Sequence, residues 1–303
     1  MKRWLQRMAF ALLGLIILLV IALAGVYGVS DAAIGRNWND VAAAPLVVNR
    51  NTAAVERGRH MGVAITKCVA CHMPGLAGGV MIDDGGFGRI FASNLTAGEG
   101  GVLGTYTDAR LGRAIRNGIA ADGRPLLFMP AHEFHPLSDD DVTALIAWIR
   151  SLPPADNVLP RSEAGIVARV LYVTGRLPDL LPVERIHHEA VRPAPPLPAG
   201  TAEYGRYLAV IGGCIGCHGP GLSGGRIPGT PPDVKPATNL TPTAIGDWSE
   251  RDFFTAMREG KRPDGSTIDA FMPWQLAGQM NDVEMLALWK YLAAIPAKRT
   301  GMR

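Results

Sequence analysis

The feature that most constrains this chain is that it contains itself twice. Cys71-His-Met-Pro-Gly-Leu-Ala-Gly-Gly79 returns as Cys217-His-Gly-Pro-Gly-Leu-Ser-Gly-Gly225. Upstream, Gly58-Arg59-His60-Met61 matches Gly205-Arg206-Tyr207-Leu208. Downstream, Asn94-Leu95-Thr96 matches Asn239-Leu240-Thr241, and Phe128-Met129-Pro130 matches Phe271-Met272-Pro273. A repeat of this length implies one folding unit built twice. Each unit closes on an amphipathic helix. In the first, Ser138 caps and Val142, Leu145, Ile146, Ile149 and Leu152 form the stripe. In the second, Asn281 and Glu284 make a capping-box pair, followed by Met285, Leu288, Trp289, Leu292 and Ile295. Pro153 and Pro296 end both helices. No segment sustains a period of two, so the expected fold is all-α.

Ahead of the repeats, Lys2, Arg3 and Arg7 precede an uncharged run from Met8 to Ser30. About 20 apolar residues span a bilayer as a helix. The positive flank stays inside, which exports everything after Ser30. A cleaved signal peptide ending at Ala24 is the alternative, and it exports the chain equally. No later stretch is long and apolar enough to span. These divisions give an anchor over 1–30, a first domain over 31–156 and a second over 200–303. The connection over 157–199 holds a helix expected over Arg161–Leu177 and a Pro-rich end at Pro193–Pro198. His187 and His188 in it are expected on the solvated surface. The net charge of +3 equals the three cations at the N-terminus, so the remainder is neutral and nucleic-acid binding is excluded.

The four cysteines stand as Cys68-Val-Ala-Cys71-His72 and Cys214-Ile-Gly-Cys217-His218. Cys-x-x-Cys-His is the attachment signature of c-type haem. On one helical turn Cys and His four apart share a face, so two thioethers fix the ring and the imidazole lies beneath the iron. A thioredoxin-like dithiol needs a strand before and a helix after, and here Gly/Pro loops follow both motifs. A zinc site needs the two pairs to converge. The expected cofactors are two covalently bound haem c, on Cys68 and Cys71 and on Cys214 and Cys217, with His72 and His218 as axial ligands.

For the sixth ligand, Met129 and Met272 occupy equivalent places, 61 and 58 residues after the first Cys of their motifs. A thioether there closes the iron to small molecules and raises its potential, which suits electron transfer. His132 and His135 are the competitors in the first half and would make that haem bis-His. Their counterparts, Gln275 and Gly278, cannot ligate. Met73 lies too close to His72, Met81 sits on a Gly-rich loop, and Met257 is expected in a helix core. Arg59, Arg89, Arg206, Arg226 and Lys235 are candidates for contact with haem propionates.

Each half resembles a class I c-type cytochrome domain, over about residues 50–155 and 200–298. The Pro-Gly-Leu-x-Gly-Gly, Asn-Leu-Thr-Pro and Met-Pro motifs are similar to those of the cytochrome c subunits of membrane-bound alcohol, aldehyde and gluconate dehydrogenases. The resemblance implies two tandem class I domains in which the N- and C-terminal helices cross tightly. Gly58 and Gly205 would permit that approach, with Trp148 and Tyr291 as aromatic partners. It implies an electron-transfer protein and no catalytic residue. The expected setting is a single-pass anchor in the bacterial inner membrane with both haem domains in the periplasm. The donor is a dehydrogenase subunit or another redox protein, and the acceptor a terminal oxidase or soluble cytochrome. The alternatives are a dihaem subunit of a terminal oxidase complex and, as an enzyme, a dihaem peroxidase with His132 or His135 as displaceable ligand.

Overall fold

The computed structural model describes residues 2–189 and 198–302. Most of the Pro-rich end of the connection, residues 193–197, lies outside them. Helix α1 runs Lys2–Ile34 as one 33-residue rod, with lipid-like side chains exposed along its length. The first half follows with α2 (Thr52–His60), which runs into a π-turn at Met61–Ile65, then α3 (Cys68–His72), β1 (Gly79–Asp84) and β2 (Gly88–Ala92). It ends with α4 (Asp108–Asn117), α5 (Ala131–Phe134) and α6 (Asp139–Ser151). The connection contributes β3 (Glu163–Ala164) and α7 (Ile166–Val173). The second half has α8 (Ala202–Ile211), α9 (Cys214–His218), α10 (Pro242–Ile245), α11 (Glu250–Glu259), α12 (Trp274–Ala277) and α13 (Asp282–Ala294).

The expected caps form. Ser138 Oγ accepts from Asp141 N, and Asn281 with Glu284 makes a reciprocal box. In each half the first helix crosses the last at a glycine. A Cβ on Gly58 would stand 1.9 Å from Ala144 O, and one on Gly205 1.9 Å from Ala287 O. Trp148 packs its ring over Gly62, one turn on from Gly58.

The all-α expectation needs correction. A three-stranded antiparallel sheet, β1-β2-β3, occupies the first half and the connection. Its hairpin turn closes because Asp84 Oδ1 accepts the amides of Gly86 and Phe87, at 2.9 and 2.6 Å. Strand β1 exposes Val80 and Met81 in succession, so it carries no alternating pattern. In the second half a single bridge, Gly225 to Ala237, stands at the equivalent place. The helix expected over Arg161–Leu177 is also shorter, because its first residues are drawn into β3.

Residues 177–183 do not trail through solvent. Leu177, Leu180, Leu181 and Val183 are buried with Trp38 and Ile119 in a small core of their own. Phe128, beside Met129, packs against that core. His188, expected in solvent, is half-buried: its ring lies 5.4 Å from that of Trp38 and its Nδ1 accepts from Asn117 Nδ2 at 2.9 Å. His187 is exposed.

The main core is continuous through both halves, joining Ile65, Leu76 and Leu145 to Leu208, Ile211 and Leu288. The contacts across it are reciprocal. His60 of α2 donates from Nε2 to Glu284 Oε2 at 2.7 Å, and Tyr207 of α8 donates to Asp141 Oδ2. His60 and Tyr207 are equivalent in the repeat, as are Asp141 and Glu284, each the third residue of its half's last helix. The halves therefore meet as the two subunits of an isologous dimer do, each offering the same patch to the other.

Candidate functional site

The two Cys-x-x-Cys-His segments are short helices entered and left through the same strained backbone. Lys67 and Gly213, preceding the first Cys, are left-handed at φ 52° and 72°. Met73 and Gly219, following the His, have φ 64° and 80°. The next leucines, Leu76 and Leu222, both sit at φ 55° and are buried. Such a conformation is costly for a branched residue, and it recurs in both halves because the surroundings impose it. Each Leu accepts on its carbonyl the amide of the Asn-Leu-Thr leucine, Leu95 and Leu240, both at 2.8 Å. Asn94 and Asn239 accept the amides of Thr96 and Thr241, and their Nδ2 groups reach Ala155 O and Lys298 O beyond the final helices. The repeated Asn-Leu-Thr thus straps the loop after each histidine to the end of its half.

Each histidine is oriented from behind. Nδ1 of His72 donates to Ser93 O at 2.8 Å, and Nδ1 of His218 to Thr238 O at 2.7 Å. A histidine that ligates a metal through Nε2 characteristically spends its other nitrogen this way. Burial pushes the His72 pKa below its ordinary value, which keeps the ring neutral as a ligand must be. Cys68, Cys71, Cys214 and Cys217 are all partly buried. Burial pushes Cys68 and Cys214 up, the reverse of what a reactive dithiol needs. Among the described residues no three His, Cys, Asp or Glu side chains are grouped so as to hold a metal ion.

The methionine loops also match. Pro130 and Pro273 have φ/ψ of −76°/52° and −77°/54°. Met129 O accepts from Ala131 N and Met272 O from Trp274 N, at 2.6 and 2.7 Å. Both Met side chains pack, partly buried, on the main core, as do Cys68 and Cys214. His132 instead meets Arg185 Nη1 at 3.0 Å and Asp179 at 3.7 Å on the connection; burial and Arg185 push its pKa down to about 4. His135 is buried and donates from Nδ1 to Arg116 O at 3.1 Å. Met81 is exposed on β1, and Met257 is buried on α11. Four of the proposed propionate cations have other partners: Arg59 pairs with Glu56, Arg89 with Asp83, and Lys235 with Asp269, while Arg226 donates to the carbonyls of residues 230–232 and 234. Arg206 is exposed.

Two site residues went unnoticed in the sequence. Lys67 donates to Ile65 O at 2.7 Å and, across the interface, to Gly212 O at 2.6 Å. Glu133 lies against the backbone of Gly213 and Gly216, and burial pushes its pKa up to about 7. Two ionisable side chains from the first half therefore lie against the backbone at the start of the second motif. The only signal in the sequence is that Lys67 stands where the second repeat has Gly213.

Residues 53–149, from α2 to near the end of α6, match the family model described as cytochrome C oxidase, cbb3-type, subunit III. Over these residues the chain is similar to a cytochrome c domain. Such a domain binds haem c covalently, and the donor set around Cys68, Cys71 and His72 fits it. The chain is similar to the fructose dehydrogenase cytochrome subunit of Gluconobacter japonicus, 27% identical over 87% of this chain and 57% of that one. It is similar to the cytochrome c subunit of the quinone alcohol dehydrogenase of Gluconobacter oxydans, 28% identical over 82% of this chain and 56% of the relative. A shorter match, 38% identical over 94 residues, covers 29% of this chain and 21% of the gluconate 2-dehydrogenase cytochrome c subunit of Pantoea cypripedii. The chain thus spans little more than half the length of the first two.

Proposed function

We propose that this protein is a membrane-anchored dihaem cytochrome c that accepts electrons from a dehydrogenase subunit and passes them to a further redox protein, an oxidase or a soluble cytochrome. Its two haems are held by Cys68, Cys71, His72 and Met129 and by Cys214, Cys217, His218 and Met272. Each haem, when bound, supplies a reversible one-electron iron couple. The observation that carries the reading is the doubled geometry: two histidines tied through Nδ1 to equivalent carbonyls and two Met-Pro turns with the same dihedrals. Symmetry and the engagement of His132 with Arg185 favour Met129 in the first half.

The chain's own contribution is to hold and shield. Tied imidazoles keep Nε2 aimed, and the proline-stiffened loops keep the thioethers in place. The reciprocal interface keeps the motifs close: the Lys67 ammonium bonds Gly212 O, two residues before Cys214. Helix α1 is long and apolar enough to cross a membrane, and the charges at its start favour a periplasmic location for the rest. Solubilised membranes should yield this chain together with a dehydrogenase subunit, and adding that enzyme's substrate should reduce the haem. A chain that purifies alone, or turns over peroxide by itself, refutes the reading.

A further inference from the structure

Helix α7 has the wrong surface for water. Its sequence is Ile-Val-Ala-Arg-Val-Leu-Tyr-Val. Ala168 faces inward and is fully buried, while Val167, Val170 and Val173 are 47%, 38% and 37% exposed. At 3.6 residues per turn these three valines cover an arc of roughly 120°. A short helix apolar on both its inner and outer faces belongs in an apolar setting.

The only charge on α7 is taken up by α1. Arg169 donates from Nη1 to Ser30 Oγ and Asp31 Oδ1, both at 2.6 Å, and from Nε to Ala164 O. Its guanidinium lies 4.7 Å from the centre of the Tyr27 ring. Tyr27 is 20 residues beyond Arg7, and 20 helical residues rise about 30 Å, the thickness of a bilayer's hydrocarbon core. With Arg7 and Trp4 at one boundary, Tyr27 therefore marks the other, where aromatic residues gather. Arg169 is then at headgroup level, and α7 lies beside it.

We propose that α7 is seated in the outer interface of the bilayer, with Val167, Val170 and Val173 in the boundary between headgroups and acyl chains. The occupant of this face is lipid, because Arg169 ties α7 to α1 at the level of Tyr27, where the apolar surface of α1 meets the headgroups. Anchor, α7 and first half then form one rigid piece, pinned through Arg169 to Ser30 and Asp31 and through β3 to the sheet. The haem domains are held at a set height and tilt instead of swinging on a tether. This rests on α1 spanning the membrane.

The test uses the full haem-loaded chain in phosphatidylcholine vesicles. With the native cysteines consumed in thioethers, Val170→Cys offers one thiol for an environment-sensitive fluorophore, and the mass of the labelled chain verifies a single label. Leu18→Cys, midway along α1, and Val158→Cys, exposed at the start of the connection, are labelled alike. Lipids carrying a nitroxide near the glycerol should quench the label at 170. Lipids with a nitroxide near the chain end should quench the label at 18, and neither should affect the one at 158. Val173→Cys should repeat the result at 170, and retention of the Met–iron absorption verifies the fold. Quenching at 18 but not at 170 or 173 overturns the seating of α7, with a protein partner then the better occupant. Quenching at none of these positions overturns the membrane reading itself.

Discussion

Gly58→Ala adds one methyl group where two helices touch, and two effects oppose each other. Alanine inside a helix is favoured over glycine by about 0.5–1 kcal/mol. Against that, the new Cβ would stand 1.9 Å from Ala144 O and 2.5 Å from its carbonyl carbon. An ordinary C···O contact is about 3.3 Å, so α2 and α6 must separate by roughly an ångström. The obstacle is helix backbone, which cannot rotate away as a side chain can. Separation also lifts Trp148 from Gly62, where it packs closely. Overpacking of this kind costs about 1–3 kcal/mol, so the clash wins and the net loss is about 1–2 kcal/mol. Gly205→Ala meets the same geometry at Ala287 and should cost the same. Guanidinium unfolding of the full chain, followed by tryptophan fluorescence and by the far-red Met–iron band, reads both. Because the core runs through both halves, either variant should lower the midpoint for both haems together. An unchanged or raised midpoint would refute the reasoning.

Three further outcomes follow from the site. Met129→Ala and Met272→Ala should each abolish about half of the far-red band and lower the potential of one haem, read by redox titration; survival of the band in the double variant contradicts both assignments. Glu133 has its pKa raised from 4.5 to about 7, chiefly by burial, so the unfolded chain ionises it before the folded one does. Stability should fall as pH rises through that window and level off above it, and Glu133→Gln should remove up to about 3 kcal/mol of the fall, measured by unfolding at pH 5 and pH 8. The protein should stay in the membrane fraction through high-salt washing and leave only with detergent, because screening does not weaken hydrophobic insertion; release by salt alone counts against the anchor.

Much of this was readable because it repeats. Gly58 and Gly205, the caps at Ser138 and Asn281, and the Asn-Leu-Thr straps are local devices with local signatures. The sheet was not readable, because β1 exposes Val80 and Met81 together and its hairpin depends on a turn that Asp84 ties. Residues 177–183 read as a linker because Pro178 and Pro182 break any period, yet Leu180, Leu181 and Val183 are fully buried. The interface between the halves was latent in the alignment of His60 with Tyr207. Both carry a polar ring at one place in the repeat, and only the assembled fold shows that each reaches the other half's last helix.

The central claim, that one chain carries two equivalent electron-transferring haems, is tested most directly by coulometric titration of the purified protein, with electrons counted per chain while the haem absorption is recorded. The account predicts two electrons per chain, with the far-red Met–iron band present in the oxidised form and lost in step with both. Uptake of a single electron, or of two with only one methionine-ligated component, would contradict it.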